Sequence, residues 1–372
     1  MIETIKHTID YISAPTISFT LITVLFPLFF PPTDFFDKLN RKLRIYKIWT
    51  NAGGLILFTL ISIFFYMGYT DPNFKIILMK GDNFPIVLMI YTMFFFTWYA
   101  MKKSYINDAR IEEGKKPTEW HDPEDKVLVW PDLVYIELIA LILFMVFLIV
   151  WAILVPAPLE EPANPAATPN PSKAPWYFLG LQEMLVYFDP WLAGVLFPTL
   201  IIVGMCAIPY MDINKKGDGY YSFKERRVGY FIFMYGWLVL WIYLIVIGTF
   251  FRGPNWNFFG PFEYWDPHKL EVLNNVNLSE YFWVIGLGQP LPQNILVRES
   301  VGFLVTGLYV FVLPVVLAKT ILKNMYKAYG PTRYTFLMIL GLSMLSLPIK
   351  MYLRWIFNLK YIIGIPEWFF NI

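Results

Sequence analysis

The chain has 372 residues, of which 57% are hydrophobic, 19% aromatic and only 16% charged, with a mean hydropathy of +0.50. These values lie outside the range of soluble globular chains and specify a protein that crosses a membrane several times. The net charge of +2 gives no basic field for a nucleic acid, and a single cysteine, Cys206, rules out an intrachain disulfide, a CxxCH haem attachment and an iron-sulfur cluster ligated by this chain alone.

A helix needs roughly 20 mostly apolar residues to cross the hydrocarbon core. Residues 1–14 carry Glu3, Lys6, His7 and Asp10 and have no short apolar core with a small-residue cleavage site, so no removable leader is expected. Eight spans are predicted at about 14–31, 52–70, 84–101, 131–155, 190–211, 228–251, 299–322 and 332–357. The fold class is therefore an all-α polytopic bundle. The first span is the weakest, because Pro27, Pro31 and Pro32 crowd its end, and its alternative is a re-entrant or interfacial segment.

Lysine and arginine near span ends set the orientation. Lys38, Arg41, Lys42, Arg44 and Lys47 follow the first span, Lys102 and Lys103 the third, Lys215, Lys216, Lys224, Arg226 and Arg227 the fifth, and Lys319, Lys323, Lys327 and Arg333 the seventh. These loops are expected on the cytoplasmic side. The alternate loops, with Glu160, Glu161, Glu263, Asp266, Glu271 and Glu280, are expected outside together with both chain ends. The polar run from Lys102 to Trp130 divides the chain. This gives an N-terminal three-span extension at 1–103, a cytoplasmic linker at 104–130, a core at 131–251 with an outer loop at 156–189, an outer aromatic loop at 252–298, and two C-terminal spans with a tail at 299–372.

The outer loop between the fourth and fifth spans is the most informative segment. Pro162, Ala163, Asn164 and Pro165 lead to Thr168, Pro169, Asn170 and Pro171, and then to Lys173, Ala174, Pro175, Trp176, Tyr177, Phe178 and Leu179. Irregular backbone at a membrane surface is tolerated where it packs on protein or lines a cavity, so the loop marks a place for a ligand. The ordered set, preceded by Asp122, Pro123 and the stretch from Val127 to Pro131 and followed by a span running from Asp189 to Ile208 and Pro209, resembles the C-terminal half of cytochrome b. That half stands alone as subunit IV of cytochrome b6f complexes, and the family reads PANP, TPP and KPEWYFL at the corresponding places.

The resemblance implies a membrane subunit of a quinol:cytochrome c-type oxidoreductase. In it, Pro175, Trp176, Tyr177 and Phe178 would line the quinol-oxidising pocket on the positive side, the side on which the charge bias places them. The chain departs from the family at one chemically important point, carrying Pro175 where the family has a glutamate. Glu183, seven residues after Trp176, is the candidate proton acceptor, because two helical turns would put both on one face; its alternative is an interfacial surface carboxylate. Trp176 and Tyr177 have a plainer reading as an aromatic-belt anchor.

Two stacked b-type haems need four histidines, paired about 14 residues apart on two helices so that the haems lie ~20 Å apart. This chain has three, His7, His121 and His268, none within a span. The resemblance thus implies haem b on a partner like the N-terminal half of cytochrome b, and a Rieske-type iron-sulfur protein or c-type cytochrome as the outer electron acceptor. It implies a multi-subunit assembly in a bacterial cytoplasmic membrane, a dimer among the forms open to it, and no activity for this subunit alone. No metal site and no nucleic-acid partner are expected; quinol or quinone would bind at the interface, and lipid surrounds the spans.

Among other polar residues, Glu137 in the fourth span has readings as a neighbour of a partner helix or haem propionate, a proton path, or an interfacial carboxylate. Lys350 and Arg354 in the last span are expected to snorkel to the interface. The aromatic outer loop from Arg252 to Pro267 is expected to pack over the outer face, and His268 to be a surface histidine. Two rival functions stay open: a structural subunit of a respiratory complex with a non-catalytic pocket, and an ion or solute carrier, which the scarcity of charge in the spans and the lack of internal symmetry oppose.

Overall fold

In the computed structural model, residues 2–120, 128–155, 159, 162–213, 219–271 and 274–372 are described. Helix dominates them, and seven helices are long and apolar enough to cross a membrane: Asn51–Thr70, Gly81–Glu112, Val129–Leu154, Trp191–Met211, Lys224–Phe251, Ser300–Lys319 and Lys323–Phe357. They correspond one to one to the second to eighth predicted spans.

The first predicted span is a helix set at a sharp angle to the one before it. Helix Ile2–Ser13 and helix Pro15–Phe29 meet at a 77° bend, because extended Ala14 precedes a proline at the first helical position. The second of these helices is 15 residues long, roughly 22 Å, short for a full crossing. Asn40 reaches back to cap it, donating from Nδ2 to the Leu28 carbonyl at 2.6 Å. The third span runs on as helix to Glu112 through nine residues of the expected linker.

Lipid supplies no hydrophobic drive between helices, so packing and hydrogen bonds must hold them together. Helix Pro15–Phe29 does so by wedging between the sixth and eighth spans. Buried Phe19 lies 5.7 Å from the Tyr243 ring, 5.9 Å from Tyr352 and 5.7 Å from Trp355, contacts worth about 0.5–1.5 kcal/mol each beyond area burial. Three hydroxyl pairs run beside them: Ser18 with Tyr243 at 2.7 Å, Thr20 with Tyr352 at 3.0 Å and Thr23 with Tyr235 at 3.2 Å. The resulting core joins Phe19, Met184, Tyr187, Leu244, Leu347 and Met351, so it runs across the divisions drawn on the sequence.

The fourth span contrasts with this core. No residue of helix Val134–Leu154 is buried, and Glu137 lies exposed on it.

The polar contacts sort the loops into two faces. On one, Asp108 accepts from the Ser222 hydroxyl at 2.6 Å and from the Phe223 amide at 3.1 Å, Asn107 donates to the Tyr221 carbonyl, Lys224 pairs with Glu112 and Arg227 with Asp34. On the other, Lys6 pairs with Asp71 at 2.8 Å, the Phe262 amide donates to Asp10 at 2.9 Å, and Asn371 donates to Asp189 at 3.0 Å. The lysine-rich loops after the first, third and fifth spans thus meet each other, whereas the proline-rich loop shares its face with residues 2–13 and with the tail. A short antiparallel pair, Gly364–Ile365 with Phe370–Asn371, shapes that tail.

Candidate functional site

The proline-rich loop is held by side chains rather than by secondary structure. Asn170 and Asn255 exchange hydrogen bonds, Asn170 Nδ2 donating to Asn255 Oδ1 at 2.9 Å and the Asn255 amide to Asn170 Oδ1 at 2.7 Å. Gln182 then staples the next residues: its Oε1 accepts from the Ala174 amide and its Nε2 donates to the Ser172 carbonyl, both at 2.8 Å. Lys173 lies over the Trp265 ring, 4.7 Å from its centroid, and donates at 2.7 Å to the Thr249 carbonyl in the last turn of the sixth span. That carbonyl has no intrahelical donor, and a cation there also meets the negative end of the helix dipole.

These ties fix where the aromatic run emerges. Pro175 opens a 3-10 turn, Trp176–Phe178, which the Phe178 amide closes onto the Pro175 carbonyl at 2.8 Å. Helix Leu179–Met184 follows and presses against the sixth span. Close approach is possible because both contact points are glycine: a Cβ on Gly180 would stand 3.2 Å from the Ile245 side chain, and one on Gly248 would stand 3.1 Å from the Leu179 carbonyl oxygen. Trp176 is half-buried, whereas Tyr177 and Phe178 are each 49% exposed. Tyr177 meets Trp176 edge-on at 5.6 Å and Phe178 at 4.7 Å. Tyr177 and Phe178 thus stand at the surface of the chain, whereas Trp176 packs inward against a buried apolar cluster.

The surroundings of Glu183 differ from those expected. Residues 176–188 do not form one helix, so the two-turn relation to Trp176 does not hold; a 3-10 turn and a six-residue helix replace it. Nor is Glu183 a surface carboxylate, since it is completely buried. Arg252 grips it with both arms of its guanidinium, Nη2 donating to Oε1 at 2.7 Å and Nε to Oε2 at 2.9 Å, and Trp256 Nε1 donates to Oε2 at 3.2 Å. Arg252 in turn donates from Nη1 to the Trp256 carbonyl at 2.9 Å. This two-armed geometry is the strongest form of a carboxylate pair. Burial draws the Arg252 pKa down, but the Glu183 charge outweighs it and raises the value above its ordinary level.

Sequence reasoning missed Arg252, Trp256, Lys173 and Gln182 as parts of the site. Lys173 is the most unusual, since burial, helped by the charge of Lys80, lowers its pKa to about 7 against the pull of Glu183. The outer loop packs down as expected, with Phe259 and Phe262 buried and Lys269 bracing Glu263 at 3.2 Å.

His268 and His7 are both exposed on the face of the proline-rich loop; His121 lies outside the described residues. The described histidines therefore do not offer the paired ligands within spans that a membrane b-type haem requires. No group of three potential metal ligands occurs among the described residues.

Residues 162–261 match the family model described as cytochrome b (C-terminal)/b6/petD. The match begins at Pro162 rather than at the lead into the fourth span, part of which falls outside the described residues. It reaches Pro261, so it takes in Lys173, Glu183, the whole sixth span, Arg252 and Trp256 along with the aromatic run from Trp176 to Phe178. No solved structure matches the chain.

Proposed function

With residues 162–261 belonging to the cytochrome b C-terminal family, we propose that the chain is a membrane subunit of a bc- or b6f-like quinol oxidoreductase and supplies one wall of its quinol-oxidation pocket. Pro175, Trp176, Tyr177 and Phe178 form that wall. The observation that carries the reading is the clamped loop, which leaves Tyr177 and Phe178 half exposed at the edge of the chain, where a second subunit would close the cleft. That subunit would carry haem b, and a Rieske-type iron-sulfur protein or c-type cytochrome would take electrons on the outer side.

Quinol oxidation releases two electrons to the partners' redox centres and two protons to bases at the pocket. Glu183 is the carboxylate nearest in sequence to the wall. To accept a proton it must give up a bond to Arg252, and protonation would leave a buried guanidinium unpaired, a costly state. Lys173 is the second titratable group of the loop. It has the proton affinity of a base working near neutral pH.

The test is quinol oxidation by the assembled complex purified with its partner chains. Y177A is expected to lower turnover at least tenfold with subunit composition unchanged. E183Q and K173M separate the two bases, because removal of the acting base shifts the pH profile of turnover while removal of the other lowers only yield or stability. Normal oxidation with Y177A would favour the structural subunit, a reading supported by Pro175 standing where the family has its glutamate. Ion or solute movement by the purified chain in liposomes would favour the carrier.

A further inference from the structure

Lys350 and Arg354 do not snorkel. Lys350 is 2% exposed and Arg354 8%, although both lie in the last two turns of the eighth span. The reason is the chain reversal after that helix. Asn358 adopts a left-handed conformation, φ 52°, which ends the helix and turns the chain back over it. The returning strand pairs with residues 276–278, the Lys360 amide donating to the Val276 carbonyl at 2.8 Å and the Leu278 amide to the Tyr361 carbonyl at 2.9 Å.

The reversal brings three cations together. Lys350 Nζ donates to the Lys360 carbonyl at 2.7 Å and lies 5.6 Å from the Phe188 ring centroid and 5.9 Å from that of Tyr361. Lys360 Nζ stands 5.3 Å from the same Tyr361 ring. Arg354 donates only from Nη1, at 3.3 Å to the Asn274 carbonyl and 3.1 Å to the Asn358 carbonyl. No carboxylate pairs with any of the three among the described residues. The nearest acid, Asp189, already accepts from Asn371 Nδ2 at 3.0 Å and the Trp191 amide at 3.1 Å.

Three positive charges answered by carbonyls and ring faces leave a residual charge that burial makes expensive. Carbonyls at a helix C-terminus offset part of it. The Nε and Nη2 of Arg354 and the ammonium of Lys360 make no hydrogen bond among the described residues, yet none of these nitrogens is sealed from solvent. These donors are left unpartnered at the end of a span, where lipid phosphates lie.

We propose that Lys350, Arg354 and Lys360 form a binding site for a phosphate anion on the face of the proline-rich loop, the phosphate being that of an anionic phospholipid headgroup or free in solution. Arg354 presents two donors to the anion and Lys360 a third, while Lys350 fixes the returning strand from below. The site abuts Phe188, the end of the segment that begins at Trp176, so an anion here would steady the pocket segment from behind.

The experiment uses the full chain within its complex, in maltoside micelles, titrated separately with phosphatidylglycerol and with inorganic phosphate while the thermal midpoint is followed. Wild type is expected to saturate with phosphatidylglycerol, and K360Q, at the half-buried position least able to disturb folding, to need at least ten times more. R354Q should lose the response. A response to inorganic phosphate alone assigns the site to a free oxyanion. Equal titrations for wild type, K360Q and R354Q, or no response to either probe, would overturn the proposal.

Discussion

Two arginines with little exposure lie on the same face of this protein and are answered in opposite ways. Arg252 meets Glu183 through two parallel bonds and Trp256 closes the arrangement. Arg354 meets carbonyl oxygens alone and keeps two nitrogens free. The first is a finished unit that holds helix Leu179–Met184 to the outer loop. The second is an unfinished one, whose missing half comes from outside the chain. A buried charge with its partner built in speaks of architecture, whereas one without a partner speaks of a ligand.

Breaking the finished unit should have the largest effect. E183A leaves the Arg252 guanidinium buried and unpaired, at a cost of about 3–5 kcal/mol, and is expected to abolish assembly of the complex at growth temperature. The double variant E183L/R252L removes both charges and should recover most of the lost yield; yields as low as E183A alone would show that the pair does more than balance charge. R354Q leaves no carboxylate behind. Without added lipid its midpoint should therefore stay close to wild type, and a fall as large as that of E183A would contradict the distinction drawn here.

Lys173 stands between these extremes, its ammonium answered by one carbonyl and one ring face. Its pKa in the folded chain, about 7, lies below the ordinary 10.5. Between those values the unfolded chain binds a proton that the folded chain does not, so stability rises with pH across that window. Below about pH 7 both states carry the proton and the burial penalty is present in full. The thermal midpoint should rise by a few degrees, on the order of 2–4 °C, from pH 6.5 to pH 9 in wild type, and this rise should shrink in K173M. An unchanged rise in K173M would assign it to another group.

Much of the architecture was legible in the sequence because spans are written in length and hydropathy. Seven predicted spans have their helix. The first predicted span has its helix too, Pro15–Phe29; what the sequence did not announce is that Pro15, after extended Ala14, sets it at 77° to the more polar helix Ile2–Ser13 before it. The irregular course of the outer loop was also legible, since prolines on either side of Asn170 and before Trp176 leave few backbone choices.

What lay hidden is what the chain brings together from afar. Glu183 and Arg252 are 69 residues apart, and Lys173 reaches Thr249 across 76. No local pattern announces either pair: Glu183 precedes the fifth span and Arg252 follows the sixth. Lys350 and Arg354 read as snorkelling because a helix end is usually open to water; the left-handed turn at Asn358 that closes it is one residue in a polar tail.

The central claim is that Tyr177 and Phe178 form a wall against which quinol is oxidised on the outer side of the membrane. Photolabelling of the assembled complex with an azido-quinone, followed by peptide mapping, tests it most directly. The account predicts label on the peptide carrying residues 175–178, displaced by excess quinol, and reached by membrane-impermeant reagents from outside the cell. Label confined to other chains, or access to this peptide only from the cytoplasm, would contradict it.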